Sequence, residues 1–145
     1  MRVVEQAVPE APLAASQRLA VRDHLQHRPG RDLMLLVADL PLLSGEHIAP
    51  LLQAWARRPA GVQAQVPVVH GVRGRPVLLS WAAVQAVAAQ PPAHGVRDWL
   101  QGAGDAVQAL PTDADAHTTD LDTPEDLARL RERLHPLVLA WPAGL

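Results

Sequence analysis

A short apolar run that ends in a carboxylate does most to restrict what this chain can fold into. Residues 33–38 read Leu-Met-Leu-Leu-Val-Ala and are followed by Asp39, Leu40 and Pro41. An apolar run of this length between turn-forming residues is typical of a buried strand in a parallel sheet. Asp39 would then lie at the carboxyl end of that strand, where open α/β sheets bind their ligands. The same aspartate is also compatible with a plain turn before Pro41.

A second acidic segment lies far downstream, at 120–126, and reads Asp-Leu-Asp-Thr-Pro-Glu-Asp. It separates a predicted strand near 106–110 from a predicted helix that begins at Thr123. A threonine N-cap, a proline at the first helical position and acids in the first turn all favour a helix start. The acids therefore have a structural explanation, above all Glu125 and Asp126, as capping charges. Two carboxylates delivered by separate strand ends can also share one hard divalent cation.

The remaining segments alternate between strand-like and helix-like patterns, which favours an α/β sandwich. We predict helices over 11–27, after an N-cap at Ser44, over 81–89, over 96–101 and after Thr123, and strands over 3–4, 65–69, 76–79 and 106–110. The apolar stripes expected to face the core are Ile48, Leu51, Leu52 and Trp55 in one helix and Leu127, Leu130 and Leu134 in another. The tail, 136–145, either packs as an apolar strap or stays mobile.

The loop at 71–76, Gly-Val-Arg-Gly-Arg-Pro, concentrates glycine and arginine in a short span. Arginine is suited to bidentate recognition of phosphate, so Arg73 and Arg75 are candidate ligand-binding residues. A solvated loop is the simpler alternative, because glycine and arginine are common in loops. Arg97, in the segment Gly95-Val96-Arg97, lies near the start of a predicted helix, and an exposed helical arginine is its structural interpretation.

Composition excludes several classes of function. The net charge of −2 gives no general footprint for nucleic acid. The chain has no cysteine, which excludes disulfides, thiolate metal sites and thiol nucleophiles. No apolar stretch reaches the roughly 20 residues that a membrane helix needs, and the first residues lack the apolar core of a signal peptide. We therefore expect a cytoplasmic protein that binds neither membrane nor nucleic acid.

Three motifs occur in an order that resembles the MobA-like nucleotidyltransferase family. They are a hydrophobic strand followed by Asp39-Leu40-Pro41-Leu42-Leu43, then Gly71-Val72-Arg73-Gly74-Arg75-Pro76-Val77, and then Asp120-Leu121-Asp122-Thr123-Pro124-Glu125-Asp126-Leu127. Within the family, the chain is most similar to the molybdenum cofactor cytidylyltransferase branch. The resemblance implies a three-layer, Rossmann-like α/β sheet of the nucleotide-diphospho-sugar transferase type. It also implies one partial domain over 1–145.

The resemblance implies a chemistry as well. A terminal phosphate of a molybdopterin-type cofactor would attack the α-phosphate of CTP or GTP, and pyrophosphate would leave. The family role of Asp39 and Asp122 is catalytic and consists of holding Mg²⁺, with Asp120 nearer to structural. The residues implied on the side of the phosphorylated pterin-type substrate are Arg73, Gly74, Arg75, Pro76 and Arg97.

The sequence also departs from the family pattern. Family members open with a Gly-rich nucleotide loop, whereas this chain has no glycine before Gly30, so we expect an N-terminally truncated domain. Leu40 stands where the cytidylyltransferase branch usually has glutamine. Three alternatives stay open: transfer of another nucleotide such as a guanylyl group, a catalytically silent binding or interaction module, and an enzyme completed in trans. A sheet edge left uncovered by the truncation would favour a homodimer.

Overall fold

Five strands form one mixed sheet in the computed structural model of the chain, which describes residues 2–8 and 11–138. The strands are β1 Leu33–Leu35, β2 Ala64–Val69, β3 Val72–Arg73, β4 Val77–Leu79 and β5 Val107–Pro111. The helices are α1 Leu13–His27, α2 Gly45–Ala56, α3 Trp81–Ala89, α4 Val96–Gly102 and α5 Pro124–Leu134, with short 3-10 helices at Gly104–Ala106 and Asp115–His117. The predicted α/β class is confirmed.

The sheet is parallel except for the reversed strand β4 and its short continuation β3. β2 pairs in parallel with β5, and β4 runs antiparallel to both β1 and β2. β3 pairs antiparallel with the carboxyl end of β2, beyond the part of β2 that pairs with β4. β1, β2 and β5 therefore point the same way, which brings their carboxyl ends to one edge of the sheet.

The sheet separates two apolar layers, one on each of its faces. Val77 and Leu79 lie in a cluster with Val66 and with residues of α1, α3 and α4, such as Val21 and Val84. Each fully buried aliphatic side chain of this kind contributes about 1.5–3 kcal/mol relative to an exposed one. Successive residues of a strand face opposite sides, so Val77 and Leu79 share one face of the sheet. The helices α1, α3 and α4 pack on this face.

The opposite face packs against α2. Leu78 points to this side and contacts Leu51 and Trp55. Gln65 is fully buried here, and its side-chain Nε2 donates to the carbonyl oxygen of Leu51 at 2.8 Å. The predicted stripe of α2 is confirmed at Leu51 and Trp55 but wrong at Leu52, which is 47% exposed.

Two strands predicted from the sequence differ in the structure. β1 ends at Leu35, its direct neighbour is antiparallel, and Met34 is 38% exposed, so it is not a fully buried parallel strand. The reason is that the reversed β4, which comes shortly after β2 and β3 along the chain, takes the place next to β1. The pair at 3–4 forms no strand, since no described strand lies beside it.

The predicted boundaries of α3 and the start of α5 are confirmed, each beginning after a hydroxyl-bearing N-cap. Of the tail, 139–145 lies outside the described residues, and Leu137 and Val138 are exposed rather than packed. None of the helices in the described parts of the chain combines the length and the apolar character that a bilayer-spanning segment requires.

Candidate functional site

Asp39 lies in a turn beyond the carboxyl end of β1, on the way to the N-terminus of α2. The residue is half-buried. Its Oδ1 atom is fully enclosed by protein and has no hydrogen-bond partner among the described residues. A buried carboxylate oxygen without a donor is costly, because its lost hydration is not replaced. A bound cation at this atom would offset that cost.

The downstream acidic segment reaches the same place. The backbone N–H of Leu121 donates to the carbonyl oxygen of Asp39 at 2.9 Å. The pKa of Asp122 is raised by desolvation first and then by the negative charges of Asp120, Asp39 and Asp126. Asp122 itself is exposed to solvent. A bound cation would offset the repulsion from the neighbouring carboxylates and would thereby lower the pKa of Asp122 again.

These carboxylates fit a magnesium ion. Mg²⁺ prefers carboxylate oxygens and is usually held by one or two of them together with substrate phosphates and waters. Asp39 offers the unpartnered Oδ1, and Asp122 lies beside it. Over 2–8 and 11–138, no group of three or more histidine or acidic side chains gathers into a metal-binding cluster. Two carboxylates alone would leave the other positions around such an ion to waters and substrate phosphates.

The acids at the start of α5 have a separate role. Thr123 Oγ1 accepts from the backbone N–H of Asp126 at 3.1 Å, and Asp126 Oδ2 accepts from the backbone N–H groups of Thr123 at 2.9 Å and Asp122 at 3.1 Å. The Thr123 hydroxyl and these backbone donors lower the pKa of Asp126 to about 2. Asp126 is thus engaged in capping the helix, as the sequence predicted, and it fixes the backbone on which Asp122 sits.

The arginine-bearing loop crosses the same edge of the sheet. β2 turns into β3 through His70 and Gly71, both with positive φ, at 48° and 81°. Gly74 follows and packs against His117 so closely that an added Cβ would lie 2.6 Å from the His117 carbonyl oxygen. Glycine is therefore needed at this position for the approach of two backbone segments.

Arg75 is half-buried between groups of opposite charge. Its pKa is lowered by burial first, raised by the negative charge of Asp39, and lowered by the positive charge of Arg97. The structure thus brings Asp39, Arg75 and Arg97 close enough to influence one another, although they come from different elements. Arg73 is exposed beside them, whereas the ring of Pro76 is fully buried at the start of β4 and supports the loop.

Two clefts meet at this loop and share Val72, Arg73, Gly74 and Arg75 in their walls. One, of about 310 Å³, also contains Asp39 and Asp120. The other, of about 410 Å³, is completed by Arg97, Gln101 and two apolar side chains and contains no acidic residue. Arg73 and Arg75 thus face a cleft that contains carboxylates on one side of the loop and a cleft whose charged lining is all positive on the other. Such a pair of surfaces suits a polyphosphate with its metal on one side and an anionic group on the other.

His117 is a site residue that the sequence interpretation missed. It is only 3% exposed and lines the cleft that contains Asp39. Its ring packs edge-on against His47, with centroids 5.8 Å apart. The spacing of Ser44 and His47 resembles a capping arrangement, and the backbone N–H of Ser44 does donate to His47 Nδ1 at 3.1 Å. No comparable pattern in the sequence marks His117.

A further cleft, of about 660 Å³, lies along α1 and the segment before it. It is lined by residues such as Arg2, Asp23, His24 and His27, and it holds none of the predicted site residues. Volume alone therefore does not make it the functional site. The unpartnered Asp39 oxygen and the converging arginines favour the edge of the sheet instead.

Residues 1–117 match the family described as MobA-like NTP transferase domain. The matched stretch contains Asp39, the loop at 71–76 and Arg97, whereas Asp122 lies beyond its end. A search of curated proteins finds no match to this chain.

Proposed function

Because this chain belongs to the MobA-like NTP transferase family, we propose that it transfers a nucleotide from a nucleoside triphosphate to a phosphorylated acceptor. CTP and a molybdopterin-type cofactor are the first candidates. In this reaction an oxygen of the acceptor phosphate bonds to the α-phosphorus, the α–β phosphoanhydride bond breaks, and pyrophosphate leaves. No covalent intermediate with the protein is required.

The single observation that carries this proposal is the enclosed, unpartnered Oδ1 of Asp39 beside the carboxyl of Asp122. Asp39 and Asp122 would hold Mg²⁺ from one side. A bound Mg²⁺ would supply charge neutralisation and alignment for an in-line displacement. Without a cation, the two carboxylates repel each other, so the arrangement favours a state in which positive charge is present.

The acceptor phosphate would bind in the cleft lined by arginines. Arg73, Arg75 and Arg97 line a cleft without acidic residues, where a phosphate would replace repulsion among guanidinium groups by charge-assisted hydrogen bonds. Gly74 and Pro76 would act through the backbone of the loop rather than by side-chain contact. The cleft lies next to the carboxylates, so an acceptor phosphate held there would be close to a nucleotide held by Asp39.

The base and the acceptor are open within the family. Guanylyl or other nucleotidyl transfer to a different phosphorylated acceptor uses the same carboxylates and arginines. None of the described contacts of Asp39, Arg75 or Arg97 selects a nucleobase. Direct comparison of CTP with GTP is therefore part of the test.

A second candidate function is a catalytically silent module that binds an anionic ligand. One observation favours it: the arginine cleft has no acidic residue in its lining. Such a module would bind phosphates without needing a metal. Metal dependence of binding therefore separates the two candidates.

The test is calorimetric titration of CTP and of GTP into the purified chain, with and without Mg²⁺. The variant Asp39→Asn removes the site carboxylate, and Asp105→Asn, at the opposite end of β5, is the matched control. Metal-dependent binding that is lost only in the Asp39 variant supports the transferase, and the tighter nucleotide names the base. Binding without metal dependence supports the silent module, and no binding in either condition contradicts both.

A further inference from the structure

We propose that His117 is a positioning residue, which fixes the backbone of Arg75 and thereby aims the guanidinium between Asp39 and Arg97. The expected effect of His117 on nucleotide transfer rests on the proposed function, whereas its structural role in positioning Arg75 does not. His117 comes from the 3-10 helix after β5, far from Arg75 along the chain. It is the residue that joins this segment to the arginine-bearing loop.

The join has two hydrogen bonds. The backbone N–H of Arg75 donates to the carbonyl oxygen of His117 at 2.9 Å, and His117 Nδ1 donates to the carbonyl oxygen of Arg75 at 2.7 Å. A carbonyl oxygen only accepts, so Nδ1 carries the proton. Both backbone polar groups of Arg75 are therefore held by a single partner residue.

The residue before Arg75 is held just as closely. The backbone N–H of Gly74 donates to the carbonyl oxygen of Pro67 in β2 at 2.8 Å. On its other side, an added Cβ at Gly74 would lie 2.9 Å from the Cβ of His117. The loop is thus clamped between β2 and His117, and its position cannot change unless one of these contacts breaks.

The clamp is supported from behind. Asp115 binds Arg133 of α5 through two oxygen–nitrogen contacts of 2.7 and 3.0 Å, which anchors the turn that carries His117. The ring of His47 packs edge-on against the His117 ring at an interplanar angle of 82°. His117 is therefore fixed by α2 and α5 before it fixes Arg75.

The consequence concerns the direction of the Arg75 side chain. A long guanidinium side chain loses much rotamer freedom when it is ordered, and an anchored backbone and partial burial reduce the orientations open to it. Displacement of a positioned group by about 1 Å can lower a rate by about 100-fold. His117 would thus influence the site through the position of Arg75.

Two amide substitutions separate this role from a general effect on folding. In His117→Asn the side-chain N–H lies where Nδ1 was and can still donate to the Arg75 carbonyl. In His117→Gln the amide lies where Nε2 was, so the donor is lost while polarity is kept. His135→Gln, at an exposed histidine after α5, is the matched control.

The first readout needs no enzymatic activity. Phenylglyoxal modification is followed at each arginine by mass spectrometry, with exposed Arg131 as the internal reference. We expect Arg75 to react about fivefold faster in His117→Gln, the factor that loss of one ordinary hydrogen bond gives. His117→Asn and His135→Gln should keep the wild-type ratio of Arg75 to Arg131.

The second readout is nucleotide transfer. We expect kcat to fall about 10-fold or more in His117→Gln and to recover in His117→Asn. Equal behaviour of the Asn and Gln variants in Arg75 reactivity would overturn the proposal. If the Gln variant does not fold, a raised Arg75 reactivity in His117→Asn overturns it and an unchanged one supports it. Absence of transfer in the wild type would contradict the proposed function alone, since the reactivity comparison still decides the role of His117.

Discussion

The backbone N–H of Leu121 donates to the carbonyl oxygen of Asp39 at 2.9 Å, which joins the two acidic segments of the chain directly. One segment follows β1 and the other precedes α5. Because the bond is between backbone groups, it fixes the distance between the segments whatever their side chains do. The backbone segments that carry Asp39 and Asp122 are consequently held together even without a cation between the side chains.

We expect Asp39→Asn to stabilise the metal-free protein while abolishing its response to magnesium. The substitution removes one of several close negative charges, and the new amide can donate to Asp122. A gain on the order of 1 kcal/mol would raise Tm by about 3 °C in a chain of this size. Mg²⁺ with CTP should raise the Tm of the wild type, since ligand at 100 times its Kd adds about 2.7 kcal/mol, and should not raise that of the variant.

Asp105→Asn controls for the change in net charge, because Asp105 is exposed and lies at the start of β5. It should leave both the metal-free Tm and the magnesium response as in the wild type. Thermal denaturation followed by circular dichroism measures all three proteins. A magnesium response that survives in Asp39→Asn would exclude Asp39 as a ligand.

Arg97→Gln should weaken the binding of inorganic pyrophosphate. Loss of a charge-assisted hydrogen bond in the arginine cleft corresponds to about a tenfold higher Kd. Arg131→Gln, at an exposed position near the end of α5, makes the same change in charge away from the cleft and should have no comparable effect. Calorimetry at two salt concentrations measures both variants. Equal weakening by both substitutions would indicate binding to net charge and not to this cleft.

Gly74→Ala should destabilise the fold, whereas Gly102→Ala should not. A methyl group at position 74 would meet the His117 carbonyl oxygen at 2.6 Å, and forced overpacking typically costs about 1–3 kcal/mol. Gly102 has no atom within 4 Å of its added Cβ and lies in the last turn of α4, where alanine is the better helix former. Urea denaturation compares the two. Similar midpoints for both variants would contradict the close approach at Gly74.

Acid should remove part of the stability of α5, and Asp126→Asn should remove that part of the pH dependence. The pKa of Asp126 is lowered to about 2 from an ordinary 3.8 by the Thr123 hydroxyl and backbone donors. A lowered pKa in the folded state contributes stability above the ordinary value, and this contribution is lost as pH falls from about 4 towards 2. Plots of Tm against pH, measured from pH 5 to pH 2, should therefore converge at the acid end for wild type and Asp126→Asn. Parallel curves would show that ionisation of the Asp126 carboxylate does not contribute to the stability of the folded state.

Self-association is expected at β1, which pairs only with β4 among the described strands. Its other edge carries unpaired backbone groups and exposed apolar side chains, including Met34 and Leu36, and such an edge favours strand pairing. Leu36→Lys should shift the mass measured by light scattering towards the monomer, because edge lysines oppose pairing. Leu52→Lys, on the exposed side of α2, is the control. A monomeric wild type would contradict the expected homodimer.

Local sequence signals predicted the helices better than the sheet. Ser80 and Thr123 each cap a helix through their own hydroxyl, so the starts of α3 and α5 depend on nearby residues and could be predicted. The extent of β1 depends instead on β4, a segment far along the chain that supplies three paired residues. No pattern within 33–38 contains that information.

The site divides in the same way. Asp39 and the arginines were marked by residue type and by position near predicted strand ends, and their roles stay predictions. His117 could not be found, because its importance lies in backbone contacts to Arg75 that exist only after the chain has folded. The closeness of Gly74 to His117 was likewise hidden, since a glycine in a loop has an adequate local explanation.

The walls of the site come from the turn after β1, the loop between β3 and β4, and the segment between β5 and α5. Contacts between parts so distant along the chain close large loops, and such contacts form late during folding. In refolding experiments, we therefore expect ligand protection of Arg75 to appear after helix formation in α1 and α3. Formation of the site would then mark the last step of folding. Ligands would therefore slow unfolding more than they speed refolding.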